Sequence, residues 1–118
     1  MSDSVVASEM IARIEGLESR RSQRSIREVR ITIARQIKTG VGTLANIRKQ
    51  RRKTVPAWLM KNIGARLIEA LQTEIRALEH EVEIVRQTGV DPRSDAFSAA
   101  QASLASARLL LKQAVKAK

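Results

Sequence analysis

The stretch at 40–53, GVGTLANIRKQRRK, ends in Arg48, Lys49, Arg51, Arg52 and Lys53. Cations at this density bind phosphate, and the Asn46 amide just ahead of them has the donor and acceptor needed to pair bidentately with adenine. The chemistry on offer is recognition of a polyanion, not bond-making. Other candidates are weaker. His80 lies in LEHEVE beside Glu79, Glu81 and Glu83, with Glu74 earlier on the same helix. Paired carboxylates can act as acid and base, but Arg76 and Arg86 at neighbouring turns make these better ion-pair partners on a solvated face. His80 reads as a solvated histidine rather than a metal ligand. Trp58 has the ring to stack on a base, yet beside Pro56 and Leu59 it is expected to pack the junction between the basic region and the following helix. No nucleophile–base constellation and no phosphate-binding glycine loop is present. The sequence therefore reads as a binding protein and not an enzyme, with no cofactor, no metal and no small-molecule ligand.

The charge distribution points the same way. The formal net charge of the 118 residues is +10, and the window Arg20–Lys53 alone carries twelve Lys/Arg against one acid, Glu28. Such a window repels itself unless a polyanion neutralises it. Cysteine is absent, which excludes a disulfide scaffold and a thiolate metal site. The first residues, MSDSVVASEMIARIEG, are acidic and lack the basic and apolar regions of a signal peptide. No apolar run approaches the roughly 20 residues that span a bilayer. A cytoplasmic protein without a membrane partner is expected.

These groups need elements to hold them, and the elements are all helical. With Trp58 and Phe97 as the only aromatics, the core must come from aliphatic helix packing. A first helix is expected over residues 4–17, with Val6, Met10, Ile14 and Leu17 on one face. Ser25 and Glu28 have the spacing of a capping box, opening a second helix to Lys38 through Ile26, Val29, Ile33, Ala34 and Ile37. After the turn TGVG, a third helix takes residues 43–52, with Thr43 as its cap. Val55-Pro56 starts a fourth helix that nothing interrupts before Gly89. It has about 33 residues and a length of roughly 50 Å. Ile68, Leu71, Ile75, Leu78, Val82 and Val85 are spaced alternately by three and four, the seam of a coiled coil. In DPRS, Asp91 or Ser94 caps a fifth helix that runs to Ala114, with Pro92 near its first position and Phe97, Ala100, Leu104, Ala107, Leu111 and Val115 on its apolar face. Helices four and five are expected to form an antiparallel hairpin. Its seam faces either a second copy of the chain or helix five. The division expected is a basic domain over 1–54 and a helical arm over 55–118.

The run from Arg30 to Lys49, RITIARQIKTGVGTLANIRK, resembles the 20-residue helix-turn-helix of phage-repressor-type DNA-binding proteins. Ile33 and Ile37 stand at its apolar fourth and eighth positions, Ala34 at the small fifth, and Leu44 and Ile47 at the aliphatic fifteenth and eighteenth. The ninth position, usually glycine in a left-handed conformation, is Lys38, and the glycines follow at Gly40 and Gly42. Thr39 replaces a usually apolar residue, whose role Val41 is positioned to assume. The likeness covers about a sixth of the chain. It implies an all-α protein with an N-terminal helix-turn-helix whose second helix enters the major groove.

At 100° per residue, the direction opposite Leu44 and Ile47 holds Gly42, Ala45, Asn46, Lys49 and Lys53. With Thr43 at the helix start, these are the candidate base-contacting residues: Ala45 for a thymine methyl, Asn46 for adenine, Lys49 for guanine. Arg48, Arg51, Arg52 and Arg35 flank the stripe, and with Arg20, Arg21, Arg24 and Lys38 they are the candidate phosphate contacts. The seam residues Ile68, Leu71, Ile75, Leu78, Val82 and Val85, with Leu104 and Leu111, are the candidate dimer or hairpin contacts. The leading expectation is a homodimeric transcriptional regulator of phage or mobile-element type that binds specific double-stranded DNA. The alternative is an accessory or architectural protein that binds DNA or RNA without sequence preference. A third reading, a helical adaptor whose basic arm sits on an anionic membrane or an acidic partner, is disfavoured because the apolar residues of helices two and three suit mutual packing.

Overall fold

The computed structural model describes residues 3–89 and 93–116, and among these every regular element is an α-helix. They are α1 (Asp3–Ser22), α2 (Ile26–Gln36), α3 (Val41–Arg48), α4 (Ala57–Gln87) and α5 (Asp95–Lys116). No helix among the described residues is long and apolar enough to cross a membrane.

The chain forms two compact units, and α4 runs through both. The first unit ends at Ala70 and the second begins at Leu71, so the division falls inside α4 rather than at the 54/55 junction. The first turns of α4 belong with α1–α3: Leu59, Ile63 and Leu67 are buried there, and the Asn62 amide donates to the Ile37 carbonyl at 3.0 Å. In the first unit, α1, α2 and α3 pack on one another. Ala7, Ile11 and Ile14 of α1 are buried, as are Val29, Ile33 and Ala34 of α2 and Leu44 and Ile47 of α3.

In the second unit, Ile75 and Val82 of α4 share one apolar cluster with Phe97, Leu104 and Ala107 of α5. Leu78, Val85, Ala100 and Leu111 pack against it, and Arg108 lies 3.7 Å from Glu79. The lower seam is thus covered within one chain. Ile68 is half-buried and Leu71 is buried.

Helix ends differ most from the sequence reading. The first helix passes through Gly16 and continues to Ser22, where Gln23 at φ 57° stops it. Ser25 caps α2, its hydroxyl accepting from the Glu28 N–H at 3.2 Å. The Glu28 carboxylate instead faces Arg24, at 3.6 Å. α4 opens at Ala57, with the Pro56 carbonyl accepting from the Leu59 and Met60 N–H groups. It closes before Gly89, which has φ 75° as a C′ glycine requires. The Ser94 hydroxyl accepts from the Phe97 N–H at 3.3 Å and so caps α5, which runs to Lys116. Asp91 and Pro92 lie outside the described residues.

Candidate nucleic-acid interface

The ends of α2 and α3 fix what α3 presents. α2 stops at Gln36, two residues before its expected end, because Lys38 turns left-handed at φ 64°. The Lys38 N–H then bonds the Arg35 carbonyl and the Thr39 N–H bonds the Ala34 carbonyl, at 3.2 and 2.9 Å. This pair of bonds is a Schellman closure, with Lys38 where glycine is usual. Asn62 satisfies the remaining Ile37 carbonyl. Thr39 is half-buried and Val41 is 45% exposed, so Val41 does not take the apolar place that Thr39 vacates.

α3 begins at Val41, two residues earlier than expected. Its N-cap is Gly40, which has no side chain to offer, so Thr43 stands inside the first turn and is not the cap. The helix ends at Arg48 rather than at residue 52. Gln50 at φ 59° reverses the backbone, and the Gln50 and Arg51 N–H groups bond the Ile47 and Asn46 carbonyls. This is a second Schellman closure at a non-glycine residue. The Ser8 hydroxyl donates to the Arg48 carbonyl at 2.8 Å and binds this end to α1.

Of the expected outward stripe, Gly42, Asn46 and Lys49 are exposed and Ala45 is half-buried at its edge, while Leu44 and Ile47 are fully buried on the opposite side. Lys53 does not belong to the stripe. It follows the helix end by five residues, so the 100° projection that aligned it with Lys49 does not apply. Arg51, Arg52 and Lys53 instead lie on a non-helical segment between α3 and α4 that Val55 anchors in the core. A Cβ added at Gly42 meets nothing within 4 Å, and the same holds at Gly40. Neither glycine is required by the protein's own packing.

The phosphate candidates fall into two groups. Arg35, Lys38, Lys49, Arg51, Arg52 and Lys53 make no ion pair among the described residues. Arg20, Arg21 and Arg24 lie at the end of α1 and in the following turn, and all three have local partners. Arg20 donates to the Gly16 carbonyl, Arg21 pairs with Glu18 at 2.6 Å, and Arg24 meets Glu28 and the Thr32 hydroxyl. Arg48 is also engaged: its Nε donates to buried Glu15 at 3.2 Å, and the Arg30 Nε donates to the same carboxylate. Sequence reasoning missed Arg30 and Glu15, whose meeting with Arg48 joins residues too distant along the chain for a spacing rule.

A second internal network braces the unit. Arg66, buried on α4, donates to Gln36 and to Glu18 at 2.6 Å each. Burial alone would raise the Glu18 carboxyl, but the hydrogen bonds and charges of Arg66 and Arg21 outweigh it and hold the group below its ordinary range. Trp58 does not pack a junction; it is 53% exposed, while its neighbours Val55 and Leu59 are buried. On α4 it lies one turn from Asn62, which reaches the α2 terminus.

No known protein family matches the chain. No curated protein and no solved structure matches it either.

Proposed function

We infer that the protein is a sequence-specific double-stranded DNA-binding protein, with α2 and α3 as its helix-turn-helix and α3 as the helix that enters the major groove. The observation that carries this reading is Lys38 at φ 64°. The left-handed residue stands at the motif's ninth position, between buried Ile33, Ala34 and Ile37 on one side and buried Leu44 and Ile47 on the other. A lysine there breaks the sequence rule and keeps its geometry. Gly42, Ala45, Asn46 and Lys49 then offer a face of small, amide and cationic groups to base edges. Arg35, Lys38, Arg51, Arg52 and Lys53 supply charge for the phosphate rails.

An eight-residue helix reads only a few base pairs, so the proposal includes a twofold dimer on a palindromic site, with half-sites one helical turn apart. α4 and α5 would act as an antiparallel hairpin that carries the dimer contact, and the role would be transcriptional regulation in the cytoplasm. The test is selection of bound sites from random duplex DNA, by wild type and by Asn46→Ala. Recovery of a palindrome whose preference Asn46→Ala relaxes at one base pair per half-site supports the reading. Recovery of no preferred sequence sinks specific readout. It would leave the second reading, non-specific binding of DNA or RNA, which the unpaired cations on the segment after α3 favour.

A further inference from the structure

Glu15 is buried in α1, at 3% exposure, and receives one Nε–H from Arg30 of α2 and another from Arg48 of α3. One arginine would neutralise one carboxylate. The second leaves the cluster with a net positive charge beside the short helix α3. Each arginine meets Glu15 through Nε, its inner edge. Their side chains remain 33% and 39% exposed, against 4% for that of Glu15. One terminal nitrogen of Arg48 reaches the Ser8 hydroxyl at 3.4 Å, and the terminal nitrogens of Arg30 have no partner among the described residues. Two planar forks are thus fixed at their bases; the tip of Arg30 is free, and the tip of Arg48 is engaged at one nitrogen by the Ser8 hydroxyl.

A phosphodiester carries one negative charge and accepts paired N–H donors in this fork geometry. It would bring the cluster to neutrality. We propose that Arg30 and Arg48, held by Glu15, clamp a single backbone phosphate of duplex DNA where the strand passes the α1 side of α3. The proposal rests on the nucleic-acid-binding reading above and adds to it one phosphate site with its positioning residue, Glu15. A fixed pair of forks also sets the register of α3 along the groove, because such a contact positions the helix without reading sequence.

The test is binding to a mixed-sequence duplex over a salt series, with wild type, Arg30→Gln and Arg30→Lys. Wild-type affinity should fall steeply with salt. Arg30→Gln should reduce the slope of log affinity against log salt by about 0.9, the value for one lost phosphate contact. Arg30→Lys keeps the charge and the pairing to Glu15 but not the fork, and should bind on the order of tenfold more weakly than wild type. If both variants bind with wild-type affinity and slope, the clamp is overturned and the cluster is structural. If wild type shows no salt-dependent duplex binding, the underlying reading fails first and takes the clamp with it. A measurement on the unaltered protein covers variants that fail to fold. By NMR, two arginine Nε–H signals should be slow to exchange in the free protein. The terminal N–H groups of the same two arginines should become protected on adding duplex. Terminal groups that stay unprotected overturn the proposal.

Discussion

Replacing Lys38 with glycine should stabilise the protein, although it removes a whole side chain. Lys38 is exposed, its side chain has no hydrogen-bond or ion-pair partner among the described residues, and its backbone is held at φ 64°. A residue with a Cβ in that region costs about 1–2 kcal/mol. Glycine avoids this cost but gives up about 0.5–1 kcal/mol through the greater freedom of the unfolded chain. The Schellman bonds use backbone N–H groups, so they survive the change. The net expectation is a gain centred on about 0.75 kcal/mol, or a Tm rise of about 3–6 °C for a unit of this size. Lys38→Ala serves as the control, since it keeps the Cβ and loses only a solvated side chain; it should melt close to wild type. Lys38→Val, branched at Cβ, should melt lower. The assay is thermal and urea unfolding followed by circular dichroism, and the order expected is Gly, then Lys with Ala, then Val. If Lys38→Gly melts no higher than Lys38→Ala, the backbone at 38 is not left-handed. The turn argument behind the proposed function would then lose its main support.

Two further expectations are independent of that turn. Gly42→Ala should raise stability by about 0.5–1 kcal/mol, because alanine is the better helix former and its Cβ meets nothing within 4 Å. The same change should weaken duplex binding on the order of tenfold if the α3 backbone lies against the bases; unchanged binding in a gel-shift titration would place the approach elsewhere. Stability should also fall in acid through Glu18. Its folded carboxyl lies below the ordinary value of 4.5, so its contribution is complete above that value and is lost as pH falls through the lower folded value. Urea midpoints measured from neutral pH downward should show this loss in wild type and a flatter profile in Glu18→Gln. An identical profile in the two proteins refutes the assignment.

What the sequence discloses depends on whether a feature is local. Ser25 announced the start of α2 because its cap is satisfied three residues away, and Gly89 announced the end of α4 because glycine is the ordinary left-handed residue. Gln23, Lys38 and Gln50 end three helices in the same conformation with no such marker, and each displaced a boundary. The displacement after Arg48 matters most, since it took Lys53 off the helix on which its angle had been reckoned. The 3–4 spacing through Ile75, Leu78, Val82 and Val85 revealed an apolar seam but could not say what fills it; α5 does so within the chain. Trp58 misled because apolar neighbours in sequence are not neighbours in space: Val55 and Leu59 turn inward while the indole faces outward. Glu15 with Arg30 and Arg48 could not be found by spacing at all.

The brevity of α3 gives these details a common consequence. Helices shorter than about 12–15 residues are marginal on their own, and α3 has eight. Its conformation must come from its surroundings. Leu44 and Ile47 fix one face, left-handed residues close the chain before and after it, and Ser8 and Glu15 hold its last turn. Every restraint acts on the buried face or on the backbone at the ends, and none of them uses the side chain of Asn46 or Lys49. The exposed stripe is therefore held in position while the Asn46 and Lys49 side chains make no hydrogen bond or ion pair among the described residues. A partner that docks there meets a face already ordered, so binding bears less of the cost of folding the helix. Substitutions of the Asn46 and Lys49 side chains should accordingly change recognition with little change in stability, whereas Leu44→Ala should cost about 2–5 kcal/mol and weaken both together. Under the proposed function, that separation is what a recognition surface requires of its scaffold.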